Sequence, residues 1–288
     1  MKKLFALILA LVMALSLFAC GAKAPAEEAA PPAEEAPVEE APVEEEAPVE
    51  EAKTVVVGYT IYEPMNYLDE SGKLIGYDTE LAEAVFGNLG YTVIFQEIDW
   101  SSKYTDLNSN TIDCVWNGFT CNCSDDDGIA RAEKVDFSYN YMENRQVIIA
   151  KADSGIASAA DLAGKLGAVE SGSAGETYAN SFEGVNVKGF LKQVDCLIEV
   201  NAGTADFAVL DAQLAKSYAG KGDYENIVII DDLSSEVEFY AIGFKKGSEL
   251  TALVKAQLEA LAADGTIAAL AEKYGVANTA ITDFADQK

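Results

Sequence analysis

The sequence predicts an α/β protein of two lobes, and three patterns carry that prediction. Short apolar runs of strand length alternate with stretches at helical spacing along most of the chain. The alternation stops near Tyr141 and then starts again. A last strand and two amphipathic helices have no evident partner in the second half, so they are expected to return to the first.

Residues 54–59, Thr-Val-Val-Val-Gly-Tyr, read as a buried strand, because β-branched residues crowd a helix and suit a pleated sheet. Residues 78–89 place Leu81, Ala82, Val85 and Leu89 on one helical face. A strand is expected over 91–98, a helix beginning in 100–107 and a strand over 112–116. That succession indicates parallel α/β units. In the second half, strands are expected over 146–150, 166–169 and 206–210, with helices at 160–163, 176–182, 194–201 and from Ala212. A strand over 239–244 and helices over 249–264 and 267–274 close the chain. The expected boundaries are 54–142 for lobe 1, 143–238 for lobe 2 and 239–288 for the return to lobe 1.

Residues 1–20 read as a secretory signal, with Lys2 and Lys3 ahead of an apolar run over 4–17 that is too short for a confident membrane span. Leu17-Phe18-Ala19-Cys20-Gly21 resembles a bacterial lipobox, which implies acylation of Cys20 and a lipid anchor. Residues 21–53 are dominated by Ala, Pro, Val and Glu and are expected to form a disordered acidic spacer. The net charge of −28 argues against nucleic acid and anionic membrane surfaces as partners. The chain has no histidine, which removes imidazole catalysis and His-ligated zinc. Cys121 and Cys123 are too close in sequence to bridge each other readily, and they lack a second ligand pair for a metal. No cofactor or metal is expected.

Arg131 is one of two arginines among 20 basic side chains. Its planar, permanently charged fork suits a carboxylate better than any lysine does. It lies between Trp-Asn-Gly-Phe-Thr (116–120) and Lys-Val-Asp-Phe-Ser (134–138), next to a loop able to present backbone N–H and C=O groups. That combination suggests a site for a small carboxylic acid.

Several ordered motifs extend this reading. G-K-L-I-G-Y-D-T-E-L-A-E-A-V (72–85) is similar to the G-[FY]-D-x-[DE]-L signature of the family 3 extracellular solute-binding proteins, the amino-acid-binding components of ABC importers. I-D-W (98–100), N-T-I-D-C-V-W-N-G-F-T (110–120), the stretch 131–141 and A-D-F-A-V-L-D (205–211) continue the resemblance across more than 200 residues. It implies a type II periplasmic-binding-protein-like fold: two lobes, each a sheet flanked by helices, joined by hinge strands at 143–145 and 236–240.

The resemblance also implies roles. Arg131 would clamp the ligand's α-carboxylate, and Gly118 and Thr120 would offer a carbonyl and a hydroxyl. Asp211 would receive the α-ammonium, while Ser173 and Ala174 would donate N–H groups to the carboxylate. Tyr62 and Trp100 would sandwich the aliphatic stem, and Tyr59, Glu170 and Leu210 would face the ligand side chain. Several have a plainer reading as well, Glu170 as a solvated rim carboxylate among them. Gly118 suits a strand-end turn, Thr120 and Asp211 suit helix caps, and aromatic residues usually serve the core. Ten residues separate Thr120 from Arg131, more than is usual for the family.

The expected function is capture of a free polar or cationic L-amino acid, with the two lobes closing so that only ligand joins them, and delivery to a membrane permease by a lipid-anchored monomer outside the cytoplasm. An enzyme on the same fold, dehydratase-like and acting on a small carboxylic acid, and a ligand-sensing ectodomain are the alternatives. The Gly-Ser-Ala-Gly turn at 172–175 lacks the lysine and glycine spacing of a nucleotide loop.

Overall fold

The computed structural model describes residues 53–287, so the signal segment, Cys20 and the spacer up to residue 52 lie outside the described residues. In chain order the first elements are β1 (Lys53–Tyr59), β2 (Tyr67–Leu68), β3 (Leu74–Ile75), α1 (Tyr77–Asn88), β4 (Tyr91–Glu97), α2 (Lys103–Asn108), β5 (Cys114–Val115), α3 (Arg131–Lys134), β6 (Asp136–Asn144) and β7 (Gln146–Lys151). There follow β8 (Leu166–Glu170), α4 (Ala174–Asn180), β9 (Asn186–Phe190), α5 (Gln193–Ala202), β10 (Phe207–Asp211), α6 (Ala212–Tyr218), β11 (Ile227–Ile230), β12 (Glu238–Phe244), α7 (Leu250–Ala263) and α8 (Thr266–Lys273).

The strands form two five-stranded sheets and one small hairpin, β2–β3. The first sheet runs β4-β1-β5-β12-β6, with β4 and β5 parallel to β1 and β12 antiparallel to its neighbours. The second runs β11-β7-β10-β8-β9, with β7 antiparallel to both neighbours and β8 parallel to both of its own. The chain passes between sheets twice. Arg145 alone separates β6 from β7, and residues 231–237 lead from β11 back to β12.

Burial explains which segments became which strands. Central β10 is buried at every position and β7 at all but its last, so each has an uninterrupted apolar run, 207–210 and 147–150, with a polar residue only at its ends. Edge strand β4 alternates, because one of its faces meets water. Helix α1 buries Tyr77, Leu81, Ala82, Val85 and Phe86 at three- and four-residue spacing, and α7 does the same with Val254, Leu258 and Leu261. Both belong to one apolar cluster with β1 and β12, which is how the C-terminal helices come to cover the first sheet.

Several elements depart from the sequence-based expectation. Strands β6, β9 and β11 were not expected. All three lie at sheet edges: in β6 and β9, where one apolar face suffices, polar residues dilute the signal, and β11 is an apolar run of only four residues. The helix expected over 100–107 opens with a 3-10 turn, Trp100–Ser102, and continues as α2, while the short helix expected at 160–163 is a 3-10 turn, Ala159–Leu162. Strand β5 is only two residues long, because the chain leaves the sheet into the loop that carries Trp116–Thr120. No helix among the described residues is long and apolar enough to cross a membrane.

Candidate functional site

The loop after β5 is held from three sides before any ligand is considered. Trp116 N donates to Gly58 O, continuing the pairing of β5 with β1. Asn117 then pins the loop to the end of β1, donating to Thr60 O and Asn66 Oδ1 and accepting from the Thr60 hydroxyl, each at 2.8 Å. Gly118 has φ +59°, and a Cβ there would meet Tyr62 Cε1 at 2.8 Å, so only glycine fits without strain. Its N–H donates to Asp78 Oδ2 at 3.0 Å, and the Tyr141 hydroxyl reaches the same oxygen at 2.8 Å. Asp78 is the aspartate of the signature motif. It lies in the first turn of α1, and its task in this fold is to position the loop.

Arg131 opens α3 and is 1% exposed. Its Nε–H donates to Asp125 Oδ1 at 2.8 Å, one terminal nitrogen to Thr120 O at 3.1 Å, and the other to Gly172 O at 3.3 Å. The guanidinium also lies 5.3 Å from the Phe119 ring centre, a cation–π distance. The longer connection between Thr120 and Arg131 therefore delivers the arginine to this loop and supplies its carboxylate partner. Cys121 and Cys123, in the same connection, are free thiols, as are Cys114 and Cys196.

In the second sheet, Asp211 ends β10 and precedes α6, yet its carboxylate makes no capping bond to that helix. It accepts instead from Asn144 Nδ2, Gln146 Nε2 and Gln193 Nε2. Ser173 does cap a helix, its hydroxyl accepting from Glu176 N at 3.0 Å at the start of α4. The Thr120 hydroxyl caps nothing and donates to Glu238 Oε1 at 3.0 Å. Glu238 opens β12 directly opposite Asn144 of β6.

These pieces meet around one cavity between the sheets. From the first lobe come Trp100, Asn117, Gly118, Thr120 and Arg131; from the second come Glu170, Ser173, Ala174, Gln193 and Asp211. Its volume is about 10 Å3, room for roughly one water. Of the residues expected from sequence, Tyr59, Tyr62 and Leu210 do not line it. Tyr62 is buried behind Gly118 with its hydroxyl 2.8 Å from that of Tyr240, Tyr59 packs edge-on against Phe95, and Leu210 belongs to the apolar core. Asn117 and Gln193 at the cavity, and the polar contacts of Asn144, Gln146 and Glu238 at the hinge, lie outside the sequence-based expectation. Polar residues at strand ends were the available signal, and it is weak without the sheet order that brings them together.

The expectation that ligand alone would join the lobes is corrected by direct bonds. The buried amine of Lys103 in α2 donates to Gly172 O at 2.9 Å, and the Thr177 hydroxyl of α4 donates to Asp126 Oδ1 at 2.8 Å. Lys192 and Glu97 form an ion pair across the same gap. The physical reason is that the longer 121–130 connection reaches across to α4, and the backbone carbonyl of Gly172 faces two cations of the first lobe.

The cavity carries an excess of acid. Glu170 is 3% exposed, and its Oε1 has no hydrogen-bond partner within the protein. Burial, and then the neighbouring charge of Asp211, push its carboxyl up to about 8. Burial and Asp211 likewise raise Glu238 to about 7. Asp211 is itself raised by burial, though its amide donors work against this. Burial, and then the Arg131 charge, lower Lys103 to about 7. A cation entering beside Glu170 and Asp211 would offset this imbalance, whereas an anion would find only Arg131 and Lys103.

Comparison with known proteins agrees with this architecture. The family model for bacterial extracellular solute-binding proteins, family 3, matches residues 55–277. The arginine-binding extracellular protein ArtP of Bacillus subtilis (strain 168) is 28% identical over 278 residues, covering 95% of this chain and 98% of ArtP. The L-cystine-binding protein TcyA of the same organism is 31% identical over 218 residues, covering 74% of this chain and 77% of TcyA. Among solved structures, an ancestral arginine-binding protein bound to arginine matches with a TM-score of 0.69 at 33% identity, covering 77% of this chain and 97% of that one. The arginine-, lysine-, histidine-binding protein ArtJ of Geobacillus stearothermophilus matches at 0.69 and 28%, covering 77% and 95%. The fold is thus the expected type II arrangement of two sheet lobes.

Proposed function

The chain belongs to the bacterial extracellular solute-binding proteins of family 3, and from that premise we propose that it captures a free polar or cationic L-amino acid and delivers it to the membrane permease of an ABC importer. The observation that carries this reading is the meeting of Arg131, Gly118 and Thr120 with Asp211, Ser173 and Ala174 around one buried cavity. A zwitterion needs an anion receptor and a cation receptor a few ångströms apart, and this wall offers both.

In this reading the Arg131 guanidinium holds the α-carboxylate, helped by N–H groups at Ser173 and Ala174. Asp211, the Gly118 carbonyl and the Thr120 hydroxyl receive the α-ammonium, and Trp100 covers the stem. Glu170 faces the ligand side chain, where its unpartnered oxygen favours a donor, and a cationic one most. The similarity to the arginine-binding protein ArtP and to an ancestral protein solved with arginine bound supports that preference.

The cavity is smaller than any amino acid, so the lobes must part to admit one, and the ligand's greater affinity for the closed form then holds them together. The two crossings at Arg145 and 231–237 are where such motion would concentrate. Acylation at Cys20, with residues 21–53 as a spacer, would tether a monomer outside the membrane. We read the chain as a binding protein and not as an enzyme.

Calorimetric and thermal-shift screening of the protein against the free amino acids tests the reading. A rise in melting temperature with one or a few polar or cationic amino acids, weakened by about a hundredfold or more in Arg131→Lys, is expected. No stabilisation by any amino acid overturns it, and turnover of a carboxylic acid would make the protein an enzyme instead.

A further inference from the structure

Asp211 and Glu238 hang their carboxylates on the same two amide groups. Asn144 Nδ2 lies 2.8 Å from Asp211 Oδ1 and 2.6 Å from Glu238 Oε1, and Gln146 Nε2 lies 2.5 and 2.6 Å from the same two oxygens. Two oxygens sharing two nitrogens at such distances are near neighbours. Both residues are buried. Their remaining donors, the Gln193 amide on Asp211 and the Thr120 hydroxyl on Glu238, are neutral as well. Among the described residues neither carboxylate forms an ion pair.

The groups around the pair do not supply the missing charge. On β8, Glu170 is a third buried acid, with Lys103 of α2 beyond it. Tyr62 and Tyr240 face the pair as phenols bonded to each other. Asp78 lies further back, on the Tyr141 hydroxyl and Gly118 N–H. The thiols of Cys121 and Cys123 are pushed up by burial and stay uncharged. Arg131 is the nearby guanidinium, and its Nε–H is already on Asp125. Two carboxylates held close together without a counter-ion do not both ionise readily; one proton stays on the pair, and it belongs to both.

We propose that Asp211 and Glu238 share one proton in the absence of ligand and release it to solvent when a ligand's ammonium group docks against them. This rests on the reading of Asp211 as the ammonium receptor and adds Glu238 to the binding residues. The ammonium keeps its three protons, one carboxyl O–H bond breaks, and the proton passes to buffer. The pair goes from one negative charge to two as the positive charge arrives. Affinity then falls in acid. With Glu238 raised to about 7 by burial and by Asp211, binding weakens about tenfold for each pH unit below that value. The ligand's own carboxyl group, held by its neighbouring ammonium below the roughly 3.5 of a peptide's α-carboxyl, leaves that window clear.

Titration calorimetry with L-arginine and with L-glutamine, at about pH 6 in buffers of different ionisation enthalpy, counts the protons released. The expected result is about one proton released with L-glutamine, persisting in Glu170→Gln, and an affinity that falls roughly fifteenfold between about pH 7 and about pH 5.5. Glu238→Gln should abolish both the release and the pH slope. Binding without proton release, or a release unchanged in Glu238→Gln, overturns the proposal and leaves amino-acid binding standing. No binding of either probe at any pH overturns both. The proton count on the unaltered protein is decisive even if Glu238→Gln fails to fold.

Discussion

Asp125 Oδ1 receives the Nε–H of Arg131 at 2.8 Å, so the connection that lengthens the chain ahead of the arginine is also what holds it. Burial works to raise the Asp125 carboxyl, but the Arg131 charge and hydrogen bonds from Lys134 and Tyr104 outweigh it and leave the group at about 2. Arg131 is nearly inaccessible, so removing its partner leaves a buried charge with only carbonyl acceptors.

Asp125→Asn should therefore lower stability by about 2–3 kcal/mol, less than the full cost of a broken buried pair because Asp125 keeps some contact with water. Asp127→Asn removes an exposed partner of Lys134 and should leave the urea midpoint almost unchanged. Equal losses in the two variants would refute the assignment. Because the folded-state value of Asp125 is depressed, its contribution is present above about pH 4 and is lost as the pH falls towards 2.

Gly118→Ala combines a left-handed backbone with a contact of 2.8 Å against a buried tyrosine. A loss of about 2–4 kcal/mol is expected. Gly128→Ala has similar φ, +75°, and open space around it, so it isolates the backbone part at about 1–2 kcal/mol. Chemical unfolding of both variants measures the difference, and similar losses would mean that Tyr62 gives way freely.

The ligand-free protein should lose stability as the pH rises from about 5 to about 7. Asp78 and Glu238 are each raised to about 7, and Glu170 to about 8, chiefly by burial in every case. A raised carboxyl favours folding fully below its unfolded value of about 4, and that contribution disappears as the pH passes through the folded value. Lys103, lowered to about 7, acts in the opposite sense: its contribution is lost as the pH falls through that value, so it opposes the carboxyl groups from about pH 7 upward. Urea midpoints across this range test the slope, and Glu170→Gln with Asp78→Asn should flatten it.

Selectivity offers a separate test. Glu170→Gln should weaken binding of a cationic amino acid by roughly tenfold to a hundredfold while changing a neutral one such as glutamine by a few-fold at most. A uniform loss across all ligands would make Glu170 a structural acid of the cavity wall.

Much of this could be read from local pattern. The buried strand β1, the amphipathic helices α1 and α7, and the two-lobe alternation follow from side-chain periodicity, which the backbone geometry of strand and helix imposes on neighbouring residues. The identity of Arg131 as the scarce guanidinium next to a glycine-containing loop was equally local. Edge strands β6 and β9 escaped because a strand with one wet face need not be apolar, and β11 because four apolar residues are too few to show a period.

The rest depends on residues far apart in the chain. Asp211 carries no mark that separates a helix cap from a ligand site; sheet order places Asn144, Gln146 and Gln193 on its carboxylate and leaves its own helix uncapped by it. Glu238 resembles any surface glutamate until β12 pairs it with Asn144 and buries it beside Asp211. Charge and hydrogen-bonding capacity are properties of a residue type, but desolvation and the proximity of like charges exist only once the sheets bring distant strand ends together.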